Sequence, residues 1–179
     1  LIEALELCEK YKEEIYQYEI SIVEYLANIK LVSDKNISSD VNVKYFNLEE
    51  PEKPSPPVEM MGKSIFEYVL NTLNNIHPLS ELENTLNNLP YTYIQKLIFY
   101  IEYFIRNRNN NYIATRCFLF LLSIYESQFS ADKTLVRLLE SIFMNLKDSL
   151  EENLNICNFN YYGIETLERI FKEKMESDQ

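Results

Sequence analysis

The sequence predicts an all-α protein: an antiparallel helical stack, solenoid-like, preceded by a long N-terminal helix and a flexible linker. Three observations carry this expectation. Two glycines and six prolines in 179 residues are too few for the turns and bulges of a sheet protein. Apolar residues recur at helical rather than alternating spacing through most of the chain. Capping-box spacings, which open helices, occur at Ser64 with Glu67 and at Ser80 with Glu83.

From Leu1 to Leu31 there is no Pro or Gly, and apolar residues repeat every seven. Leu1, Cys8, Ile15, Ile22 and Ile29 form one line, with Ala4, Tyr11, Tyr18 and Tyr25 three residues later. This is one long helix with a narrow apolar seam. Cys8, Tyr11, Ile15, Tyr18, Ile22, Tyr25 and Ile29 are the interface candidates, because tyrosine at successive seam positions suits a protein interface. The other reading is a helix lying on its own domain. Residues 32–62 lose the period and carry Pro51, Pro54, Pro56 and Pro57, and read as a flexible linker.

Residues 63–176 then read as one helical domain. A helix over 64–76 ends at Pro78, and a short one carries Leu82, Leu86 and Leu89. Pro90 opens a helix to about Arg106 with Ile94, Leu97, Ile98 and Ile101 on one stripe. The run from Ile113 to Tyr125 is apolar nearly all round, so the expectation places it centrally. Asp132 caps a helix to about Asn155, Asn158 to Gly163 breaks the pattern, and a last helix carries Ile164, Leu167, Ile170, Phe171 and Met175. Short connections imply antiparallel neighbours.

Composition narrows the function classes. A net charge of −11 repels phosphate, which disfavours direct binding of nucleic acid; the local exception is Arg106 and Arg108 beside an asparagine cluster. Three cysteines, far apart and never in a C-x-x-C pair, fit neither a disulfide framework nor a zinc site and point to a reducing compartment. His77 is the only histidine and precedes Pro78 in a turn, so no catalytic triad can be assembled. Adjacent acidic pairs such as Glu151 and Glu152 do not converge, and neither glycine belongs to a phosphate-binding motif. No enzyme site, cofactor, metal or small-molecule ligand is expected, and no stretch reaches the ~20 apolar residues of a membrane span. Arg116, alone in an apolar helix, is expected to pair with a carboxylate such as Glu102 or Glu126. With no initiator Met, and Leu1 already inside a helical pattern, the chain reads as a piece of a longer protein.

Several segments together resemble the C-terminal helical domain of the WD-repeat subunits of the UtpB complex. They are Ser64-x-x-Glu67-Tyr68-Val69-Leu70, Leu79 to Glu83 leading to Leu89-Pro90-Tyr91-Thr92-Tyr93-Ile94, Arg116 to Leu122, and Phe159-Asn160-Tyr161-Tyr162-Gly163-Ile164. The resemblance covers about Gly62 to Phe171 and is closest to the Dip-two/Utp-twelve branch. Asn158 departs from the family's usual glycine, and Ser123 and Tyr125 from its basic residues. Leu89, Pro90, Tyr91, Arg116, Phe159, Asn160 and Gly163 are carried over as structural positions that fix turns and packing. The resemblance implies a nucleolar, non-catalytic scaffold of the small-subunit processome. Its partners would be the C-terminal domains of sister subunits, with the U-three small nucleolar RNA and pre-ribosomal RNA reached through the assembled particle. An RNA-contacting module of the same particle, or a generic helical interaction domain, is the alternative.

Overall fold

The computed structural model describes residues 1–34 and 50–177. Among them are six α-helices, a single 3-10 turn at Val58–Met60 and no strand, as the composition predicts. The helices are α1 (Ile2–Asp34), α2 (Ile65–Asn74), α3 (Leu79–Asn87), α4 (Tyr91–Arg106), α5 (Asn111–Ala131) and α6 (Lys133–Ser177). Cα proximity divides the chain into two units, residues 1–85 and 86–179.

In the first unit α1 packs on α2. Ala4, Leu5 and Cys8 bury one end of α1, with the Cys8 thiol 3.9 Å from the carbonyl of Ile65. Helix α2 begins with the capping box read from the sequence. The Ser64 backbone N–H donates to Glu67 Oε2 at 2.9 Å, and the Glu67 N–H donates back to Ser64 Oγ at 3.3 Å. The Ser64 hydroxyl also donates to Glu67 Oε2 at 2.9 Å, and the two bonds to the carboxylate, from the Ser64 backbone first and its hydroxyl second, hold the Glu67 carboxyl below its ordinary pKa because they favour its charged form. Of the segment expected to be a linker, residues 32–34 continue α1, 35–49 lie outside the described residues, and Met60 is fully buried.

The second unit is built on α4, which touches both α5 and α6. Ile94, Leu97, Ile98, Ile101, Phe104 and Ile105 are buried along it. Central position therefore belongs to α4 and not, as the apolar run predicts, to the Ile113–Tyr125 helix. The reason is that α5 keeps an open face, on which Leu119 and Ile124 are exposed, while Ala114, Cys117, Phe118 and Leu121 turn inward. Helix α5 also extends to Ala131, six residues beyond Tyr125, where the backbone leaves the helical region (φ −110°, ψ 17°) and bends the helix.

Asp132 is the whole connection between α5 and α6, and its Oδ1 accepts from the N–H groups of Thr134 and Leu135 at 2.9 and 3.4 Å. Its other oxygen accepts from Gln95 Nε2 on α4 at 3.0 Å, so one carboxylate both caps α6 and ties the joint to α4. Leu135, Leu139 and Ile142 bury the start of α6, and Phe118 meets Phe143 edge to face with centroids 5.3 Å apart. Glu102, the buried charge of α4, accepts from Arg106 at 3.4 Å and from the Ser141 hydroxyl at 3.1 Å, which links α4 to α6.

The expected break at Asn158 to Gly163 is absent: α6 runs unbroken for 45 residues. No proline interrupts it, and one mid-helix glycine costs only ~1 kcal/mol relative to alanine, which lowers helicity without ending a helix. Phe159, Asn160 and Gly163 accordingly fix no turn.

Phe118→Ala should cost about 3–5 kcal/mol in denaturant unfolding, since it empties a fully buried site. Ser64→Ala should cost about 1 kcal/mol for the lost cap. Because Glu67 titrates lower folded than unfolded, its contribution is present at neutral pH and lost as acid protonates it, so acid should destabilise the native chain more steeply than the Ser64→Ala variant.

Candidate functional site

Beyond the packed start of α6, every residue from 151 to 175 is exposed. That stretch is not uniformly polar. Helical spacing of three and four puts Leu150, Leu154, Cys157, Tyr161 and Ile164 on one line, which passes through Glu168 and resumes at Phe171 and Met175. Ile156, Phe159, Leu167 and Ile170 widen the apolar arc, leaving a polar strip through Glu151, Asn158, Glu165 and Arg169. Phe159 is 79% exposed and Met175 70%. A helix apolar this far round is one that another surface normally covers.

The same line begins inside the packed domain. Val136, Leu139 and Phe143 lie on it, and with Leu119, Leu122, Ser123 and Ser130 of α5 they form an open, largely apolar groove between α5 and α6. Glu126 on α5 and Glu140 on α6 stand on its rim. So α6 presents, on a single face, a groove at its start and an uncovered helix at its end.

The residues singled out from sequence separate into three places. Leu89 is buried, Pro90 caps α4, and the Tyr91 ring lies 5.9 Å from Tyr125 and 6.3 Å from Phe129, against the bend in α5. The buried Tyr91 hydroxyl is pushed above its ordinary pKa by desolvation and then by the nearby Asp132 carboxylate. Arg116 places Nη1 3.5 Å from the Tyr112 hydroxyl, a contact the expected carboxylate pairing did not include. Phe159, Asn160 and Gly163 are on the uncovered half of α6, and a Cβ built on Gly163 would meet nothing within 4 Å.

Along α1, Cys8 is buried against its own unit, which removes it from the surfaces open to another chain. Tyr11, Ile15, Tyr18, Ile22 and Tyr25 are half-buried and Ile29 is exposed. The larger apolar surface, on α6, was missed as an interface because the period reading closed it into a packed helix. Its sheer density of Ile, Leu, Phe and Tyr was the available signal.

Among the described residues no group of three or more His, Cys, Asp or Glu is placed to hold a metal ion, and no helix is long and apolar enough to cross a membrane. Arg106 pairs with Glu102, and Arg108 forms an ion pair with Glu152.

A model of the Dip2/Utp12 family matches residues 66–169. The chain belongs to this family. The matched span runs from the first turn of α2 into the uncovered half of α6, and so includes the Tyr91 cluster, the groove and the exposed aromatic segment. The chain is 24% identical over 170 residues to the WD repeat-containing protein 3 homolog of Dictyostelium discoideum, covering 94% of this chain and 16% of that protein. It is 29% identical over 130 residues to WD repeat-containing protein 3 of Homo sapiens, covering 72% of this chain and 14% of that protein. This family domain is thus a small fraction of the length of the relatives it matches.

Burial pushes the Cys117 thiol up to about 12, so it holds almost no reactive thiolate at neutral pH. In a dilute native sample a maleimide should label the exposed Cys157 rapidly and Cys8 and Cys117 only after denaturation. Rapid labelling of all three thiols would contradict this arrangement of α1, α5 and α6.

Proposed function

We propose that this chain is the C-terminal association domain of a WD-repeat subunit of the UtpB complex, a non-catalytic scaffold that binds sister C-terminal domains within the small-subunit processome. Membership of the Dip2/Utp12 family supports a nuclear, ribosome-biogenesis role without catalysis. The finer reading places it in the nucleolus and gives it access to U-three small nucleolar RNA and pre-ribosomal RNA through the assembled particle.

The observation that carries the association role is the uncovered apolar half of α6, which lies largely within the family match. Exposed apolar surface of this extent favours a protein partner through the hydrophobic effect. Direct RNA binding is the weaker reading. Its two candidate cations, Arg106 and Arg108, are already held by Glu102 and Glu152, and the net charge of −11 opposes phosphate.

Mixed with the C-terminal helical domains of sister WD-repeat subunits, the purified chain should co-elute with at least one of them in size-exclusion chromatography. Failure to associate with any of them would contradict the scaffold reading. Filter binding to pre-ribosomal RNA should be weak, and tight, salt-sensitive retention would favour the RNA-contacting alternative.

A further inference from the structure

We infer that the second half of α1, residues 13–29, docks a basic amphipathic helix of another protein along an exposed apolar stripe edged on both sides by carboxylates. The inference concerns the first unit alone and does not rest on the scaffold reading, which α6 carries.

The first support is where α1 stops being covered. Its buried residues are Ala4, Leu5 and Cys8, and none of residues 9–30 is buried. Beyond them Tyr16, Ile20 and Val23 are 57%, 38% and 65% exposed. With the exposed Ala27 they follow at spacings of four, three and four, a straight line along a helix, and the exposed Leu26 broadens it. This stripe is offset from the heptad line of Ile15, Tyr18, Ile22 and Tyr25, whose side chains are half-buried. Apolar anchors at such spacings are how one helix face receives another helix.

The second support is charge, which selects the occupant. Residues 13–29 contain Glu13, Glu14, Glu19 and Glu24 and no lysine or arginine. At 3.6 residues per turn, Glu19 lies about 60° to one side of the Tyr16 line, and Glu13 and Glu24 lie about 60° and 80° to the other. Neither Glu19 nor Glu24 has a cation three or four residues away on its own helix, and Lys12, at the near end, is held by Glu9 at 3.1 Å. A helix laid on the stripe therefore meets carboxylates along both edges, which favours Lys or Arg on both edges of the incoming helix. A second copy of α1 would set glutamate against glutamate, so charge selects against self-pairing, and the same carboxylates repel nucleic acid.

The third support is size. Residues 13–29 span ~25 Å, nearly five turns, enough to seat a partner helix of equal length. A contact between two such faces is smaller than a standard stable interface and belongs to the weak, transient class, in which exposed charges make binding sensitive to salt.

Fluorescence anisotropy tests this on the 179-residue chain, with circular dichroism to confirm that each variant keeps its helices. The probe is a labelled helical peptide of about five turns, with leucine on one face and lysine along both edges. It should bind saturably at micromolar concentration in about 0.1 M salt and at least ~tenfold more weakly in about 0.5 M salt. Ile20→Asp and Val23→Asp should each weaken binding at least ~tenfold, although both make the chain more acidic and would strengthen a purely ionic attraction. Glu19→Lys with Glu24→Lys should weaken it by about tenfold. Leu167→Asp, on α6, should leave the peptide bound as before, so loss of sister association and loss of peptide binding report on different surfaces. Absence of saturable binding overturns the inference. So does binding indifferent to Val23→Asp, binding lost equally in Leu167→Asp, or equally tight binding of the same peptide with glutamate in place of lysine.

Discussion

The structure turns on how α6 is anchored. Its start is fixed by Asp132, which caps the helix and is tied to α4 through Gln95, and by Leu135, Leu139 and Ile142 in the core. Beyond it, Phe143 meets Phe118 and Glu152 pairs with Arg108, and the exposed stretch from there to residue 175 depends largely on continuity with that anchored start. Helical stability in proteins comes mostly from packing of an apolar face, so the propagated hydrogen-bond ladder and whatever covers the apolar arc together maintain it.

Helix α4 supplies the rest of the frame. Its buried stripe holds α5 on one side and α6 on another, and the Glu102 carboxylate, shared between Arg106 and Ser141, fixes the register of α4 against α6. A buried carboxylate is costly unless satisfied, so the link specifies one alignment more than it adds stability. Tyr91 packs on Tyr125 and Phe129 where α5 bends, ahead of the Asp132 joint.

Much of this was legible in the sequence because local signals and packing agree. The capping box at Ser64, the cap at Asp132 and the start of α4 at Pro90 each rest on hydrogen bonds that a few neighbouring residues decide. The end of α6 was not legible, since Asn158 to Gly163 weakens a helix without stopping it, and the outcome depends on tertiary surroundings that no local pattern encodes. Likewise the apolar run at Ile113–Tyr125 could not disclose which of two adjacent apolar helices would be central. The α6 surface was visible only as composition: its residues were read as core, and the structure leaves them uncovered.

The central claim is that the far half of α6 is ordered by a partner surface and its near half by the chain's own core. Hydrogen–deuterium exchange along α6, with and without a saturating sister C-terminal domain, tests it most directly. The account predicts that amides of residues 135–146 are protected in both samples, whereas those of residues 151–175 gain protection only when the sister domain is added. Strong protection of the far half in a dilute sample of the chain alone would mean that the helix is covered by its own chain and would contradict the account.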